Sequence, residues 1–143
     1  MTPTLWTIGY EKLWPDALIA ELAAAGVQRV LDVRFRPQSR RPGMSKTKLA
    51  LKFAEHGIAY EHRRELGTPL EIRGLFRAGH VEEARAAYRA QVDGAALDAL
   101  AAELDGRPRT ALLCLEANPA GCHRRVVAEM LAERRPGLVV VDL

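Results

Sequence analysis

The sequence predicts an α/β fold: a single three-layer domain over residues 1–143 with a mostly parallel central sheet of four or five strands. Three observations predict it. Short apolar runs alternate with stretches of helical spacing, as crossover helices between parallel strands require. One run, Ala111-Leu112-Leu113-Cys114-Leu115, carries no polar residue, the pattern of a strand buried on both faces. Gly26, Gly57 and Pro136-Gly137 fall where helices should stop. The 143 residues are enough for a sizeable core.

Leu5-Trp6-Thr7-Ile8 is the first strand, leaving at Gly9-Tyr10-Glu11. Glycine at a strand exit lets the backbone approach a neighbour or a ligand closely. A helix follows, with Pro15 in its first turn and Leu18, Leu22 and Ala25 at helical spacing. Residues 27–34 form the second strand, in which Asp32 and Arg34, two apart, share a face. Residues 35–43 are a loop rich in Arg and Pro, with Ser39 inside it. Ser45 is suited to cap a short helix through Leu49 and Phe53, and residues 58–62 are a third strand. The stretch 63–79, through Gly67 and Pro69, reads as one long loop. Two alanine-rich helices come next, one on Val81, Ala84, Tyr88 and Val92, the other on Leu97, Leu100 and Leu104 and ended by Gly106-Arg107-Pro108. After the central strand, Asn118-Pro119 turns the chain, and Cys122-His123-Arg124 opens a helix that carries Val126, Val127, Met130 and Leu131 inward. Residues 138–141 are the closing strand.

Composition narrows the class. Apolar residues at 48% with charged residues at 27% fit a soluble globular chain. No apolar run approaches the ~20 residues that span a bilayer, and residues 1–6 lack the basic and apolar segments of a signal peptide. Two cysteines are too few for a disulfide scaffold, so the expected location is cytoplasmic, with no membrane partner. Net charge is only +3, but seven basic residues and no acid lie between 33 and 54, which leaves the rest of the chain net acidic. A local positive field on such a chain points to an anionic ligand.

Four constellations carry chemistry. Arg34, Arg36 and Arg40 with Ser39 offer forked donors and a hydroxyl to phosphate or carboxylate oxygens; a solvated loop paired to glutamates is the plainer reading. Asp32 at a strand exit suits proton transfer or a ribose hydroxyl, and equally a structural pairing with Arg34. Cys122, at the positive end of a helix dipole beside Arg124, has the setting of a thiolate, yet it also lies on the inward stripe with Val126. Cys114, Cys122 and His123, with His62 or His80 to complete the set, contain metal-ligand types, but Cys114 lies in an apolar strand and no Cys-x-x-Cys pair exists, so no metal is expected. Neither G-x-G-x-x-G nor G-x-x-x-x-G-K occurs, and no cofactor is expected.

Thr7-Ile8-Gly9-Tyr10, Leu31-Asp32-Val33-Arg34 with Pro37 and Ser39, Gly57-Ile58 with Tyr60, Leu66-Gly67, and Leu113-Cys114-Leu115-Glu116 followed by Cys122-His123-Arg124 form an ordered motif series. It resembles that of a family known only as domain of unknown function 488, along essentially the whole chain. The familiar first motif, T-I-G-H-S, is Thr7-Ile8-Gly9-Tyr10-Glu11 here. The resemblance implies an α/β domain of bacterial type and a shared site at the strand exits, and it brings no established activity.

The expected site therefore has Asp32, Glu116, His123 and Cys122 as proton carriers or nucleophile, and Gly9, Arg34, Arg36, Ser39, Arg40 and Arg124 against the ligand. The ligand would be an anionic small molecule, a nucleotide or nucleic acid. The alternative is a non-catalytic module that docks a protein or a nucleic-acid backbone.

Overall fold

Five strands, all parallel, form one sheet in the order β3-β2-β4-β1-β5. They are β1 (Thr4–Gly9), β2 (Arg29–Asp32), β3 (Ala59–His62), β4 (Thr110–Cys114) and β5 (Val139–Asp142) in a computed structural model that describes residues 2–105 and 107–143. The helices are α1 (Pro15–Ala24), α2 (Lys46–Glu55), α3 (Leu70–Arg77), α4 (Val81–Gln91), α5 (Gly94–Glu103) and α6 (His123–Arg134). β4 is central, and it and its neighbour β2 are buried at every position, as the apolar run 111–115 requires.

The two faces are covered by different helices. Trp6, Ile8, Val30, Ala111 and Leu113 pack against α1 and α2 through Leu18, Leu22, Leu49 and Phe53. Leu5, Leu31, Leu112 and Cys114 pack against α3 to α6 through Phe76, Tyr88, Leu97 and Val127. The chain thus leaves β2 over one face and β4 over the other. These neighbours diverge at their carboxyl ends, the place where open α/β sheets form a ligand crevice.

The segment 63–79 is not one loop. A single 3-10 turn at Arg64–Leu66 precedes α3, which starts after Pro69. Gly74 in its middle obscures the periodicity, since glycine disfavours a helix by ~1 kcal/mol. Burial of Ile72 and Phe76 outweighs that cost. Gly67 fixes where the segment begins: a Cβ there would lie 2.6 Å from Phe35 Cα. Tyr88 then donates to the Leu66 carbonyl at 2.6 Å. The second strand is also shorter than 27–34, because Val27 turns back to the Leu22 carbonyl at 3.0 Å. The expected helix end at Gly106 lies outside the described residues; α5 closes at Glu103. Among the described residues no helix is long and apolar enough to cross a membrane.

Candidate functional site

At the β2 exit, Asp32 and Arg34 pair side by side. Arg34 donates from Nε to Oδ1 at 2.9 Å and from Nη2 to Oδ2 at 2.7 Å, a bidentate fork. Its Nη1 donates to the Met44 carbonyl at 2.8 Å and to Tyr10 Oη at 3.2 Å. Asp32 is fully buried and also accepts from Tyr60 Oη at 2.5 Å. Burial opposes the charge on Arg34, but Asp32 outweighs it and holds the guanidinium above its ordinary value. Tyr60 is raised as well, first by burial and then by the Asp32 carboxylate. Asp32 and Arg34 thus form a closed pair, the structural reading weighed for them.

The β4 exit is built differently. Gly9 on β1 lies so close to it that a Cβ would sit 1.7 Å from the Glu116 carbonyl oxygen. The glycine therefore serves strand-to-loop contact. Arg124, fully buried, donates to the carbonyls of Glu116 and of Ala117 (3.3 Å), to Thr7 Oγ1 (3.2 Å) and to Cys114 Sγ (3.0 Å). It makes no ion pair with any carboxylate among the described residues. Cys122 is the residue that caps α6 rather than a member of its first turn, and its sulfur accepts from Arg124 N at 3.5 Å. His123 Nε2 lies 2.7 Å from the Val33 carbonyl, so that nitrogen carries the proton and Nδ1 is left bare, 3.6 Å from Cys122 Sγ. Burial lowers the His123 pKa and raises that of Cys122, which overrides the helix dipole.

Between these exits opens a small cleft of about 110 Å³. Its walls carry Arg36 from the loop after β2, Cys114, Glu116, Cys122 and His123 from the β4–α6 side, and Arg73 and Arg77 from α3. The structure thus brings together Arg34, Arg36, Glu116, Cys122 and His123 of the expected site, and it leaves Arg124 and Asp32 packed beneath. Ser39 and Arg40 line a separate shallow basin formed by residues 37–48, which meets the cleft at Gln38. The basic run is partly structural. Arg41 donates to the carbonyls of Tyr10, Leu13 and Glu11, and Lys52 pairs with Asp16 at 2.7 Å.

Arg73 and Arg77 are the residues that sequence reasoning misses. Both sit on α3, inside the stretch read as a loop, one turn apart. The signal was available in Ile72, Leu75 and Phe76, spaced three and four after Pro69 and Ile72, but Gly74 and Gly79 punctuated it. Arg73 Nε is buried without a hydrogen-bond partner, and the guanidinia of Arg36, Arg73 and Arg77 make no ion pair among the described residues.

No curated protein and no solved structure matches the chain. A family model does match, over residues 15–131, and this span holds the β2 exit, α3, the β4 exit and the start of α6. The chain belongs to the family described as domain of unknown function DUF488.

Proposed function

We propose that the chain binds an anionic, phosphate-bearing ligand in the cleft at the carboxyl ends of β2 and β4. The observation that carries this reading is Arg73, with a buried Nε lacking any partner, lining the same cleft as Arg36 and Arg77. A buried polar group left unpaired costs about 1–3 kcal/mol, and an anion whose oxygen reached Nε would remove that cost. Three forked cations face one carboxylate, Glu116, so the cleft is net positive. Arg34 and Arg124 hold the floor in place, and the contact with ligand falls to Arg36, Arg73 and Arg77.

Gln38 lines both the cleft and the neighbouring basin that carries Arg40, Lys46 and Lys48. That adjacency of a second basic surface favours a nucleotide or the end of a nucleic-acid strand over an isolated phosphate. Affinity for such a strand falls steeply with salt.

Calorimetric titration with inorganic phosphate and with a nucleoside triphosphate tests the reading. Arg73→Ala is expected to weaken binding by on the order of tenfold or more, as one charge-assisted contact is lost. The fold should keep its stability, because that guanidinium has no protein partner for Nε. Equal affinity in wild type and Arg73→Ala, or no binding of either anion, sinks it.

A further inference from the structure

The anion reading leaves unused a group of soft donors on the opposite wall. Cys114 is the last residue of β4, Glu116 follows two residues later, and Cys122 caps α6. Their Sγ, carboxylate oxygen and Sγ atoms all lie within 4.8 Å of one another, although no short-spaced cysteine pair announces them. A tetrahedral site with sulfur at about 2.3 Å and oxygen at about 2.1 Å places those two ligand atoms about 3.6 Å apart. Cys114 Sγ and Glu116 Oε2 are 3.6 Å apart.

We propose that Cys114, Cys122 and Glu116 form a site for a zinc-class divalent cation, its fourth position open to the cleft that all three residues line. Two sulfurs among three ligands select a borderline-soft ion and disfavour magnesium or calcium. The surroundings already resemble an outer ligand shell. Arg124 donates from Nη1 to Cys114 Sγ at 3.0 Å and from its backbone N to Cys122 Sγ at 3.5 Å, contacts that steady ligating thiolates. Charge also balances. A divalent ion that displaces two thiol protons leaves the net charge of the buried site unchanged. The packing alternative, two inert core thiols with Cys114 donating to Glu116, explains the burial of both cysteines but not the gathering of both sulfurs and the carboxylate within 4.8 Å of one another.

Cobalt(II) reports thiolate ligation directly. The full chain, reduced and free of phosphate, is titrated with Co²⁺ and read in the near-ultraviolet and visible. One equivalent should give a thiolate-to-cobalt charge-transfer band with intense visible bands of a tetrahedral ion, and one equivalent of Zn²⁺ should bleach both. Cys122→Ser should lose most of the charge-transfer intensity. Glu116→Gln, at a partly exposed position, should keep the band with a weaker apparent affinity. Arg73→Ala should leave the spectrum unchanged, so this proposal and the anion reading fail separately. Absence of the band in reduced wild-type protein, or its full survival in Cys122→Ser, overturns the site.

Discussion

Two arginines lie buried at neighbouring strand exits, and they are held in opposite ways. Arg34 meets a carboxylate across a bidentate fork, with Tyr10 and Met44 taking its remaining donors. Arg124 meets two carbonyls, one hydroxyl and a thiol, and no carboxylate within ion-pair distance among the described residues. The first arrangement is complete in itself: every charge has its partner inside the fold. The second leaves a buried cation beside sulfur atoms and a glutamate that retain binding capacity. A pair that is closed braces a structure, whereas a cluster with unused donors beside a cleft is where a ligand fits. On the proposed function the β2 exit braces the cleft, and the β4 exit together with α3 is the side that would meet a ligand.

That contrast breaks most visibly at Asp32. Asp32→Asn removes the charge that compensates Arg34 while keeping the shape, so it strands a buried guanidinium. A loss of about 3–5 kcal/mol in unfolding free energy is expected, read from urea denaturation. A loss below about 1 kcal/mol would mean that solvent already compensates Arg34 and that the pair is not closed. Arg124→Met comes second. The Thr7 hydroxyl keeps Asp142, and the Glu116 and Ala117 carbonyls belong to partly exposed residues where water replaces much of the lost donor. The cost stays below the about 1–3 kcal/mol of a fully orphaned group, and the change also removes a charge that has no direct counterion. Its cost should therefore be the smaller of the two, and a reversed order would show that Arg124 has the stronger electrostatic anchorage.

Much of this frame is legible in the chain. The apolar run 111–115 announces the central strand, and the two-residue spacing of Asp32 and Arg34 places them on one face, where they pair. The motif residues fall at the strand exits for reasons that need the fold to become visible. Gly9 yields to the Glu116 carbonyl, two positions beyond the end of its partner strand β4, and Gly67 to the backbone of Phe35. Long-range contacts of this kind have no periodic signature. Two things were illegible for stronger reasons. α3 is short and carries a glycine, so only tertiary burial of Ile72 and Phe76 reveals it, and with it Arg73 and Arg77. Cys114 reads as core from its strand, while its place at the last strand position turns it towards Cys122. Charge in the basic run was equally hard to sort. Arg34, Arg41 and Lys52 are taken up inside the structure, and sequence alone does not separate them from Arg36 or Arg40.

The smallest expected effect sharpens the comparison at alkaline pH. Tyr60 donates to Asp32, and its folded-state pKa is raised by burial first and by that carboxylate next. A phenol whose folded pKa exceeds the unfolded value of about 10 contributes stability that is fully present below pH 10. That stability is lost as pH rises through the higher folded value, because the unfolded chain releases its proton first. In that window one such group steepens the fall by up to about 1.4 kcal/mol per pH unit. Tyr60→Phe should cost about 1 kcal/mol at neutral pH for the lost hydrogen bond. Above pH 10 its stability should then decline less steeply than that of wild type, with Tyr88, raised by its own burial, sustaining part of the fall in both. Urea midpoints collected at pH 8, 10 and 11 on both proteins supply the test. Parallel curves would detach Tyr60 from Asp32, and the β2 exit would then lose its standing as a closed network whose every partner is accounted for.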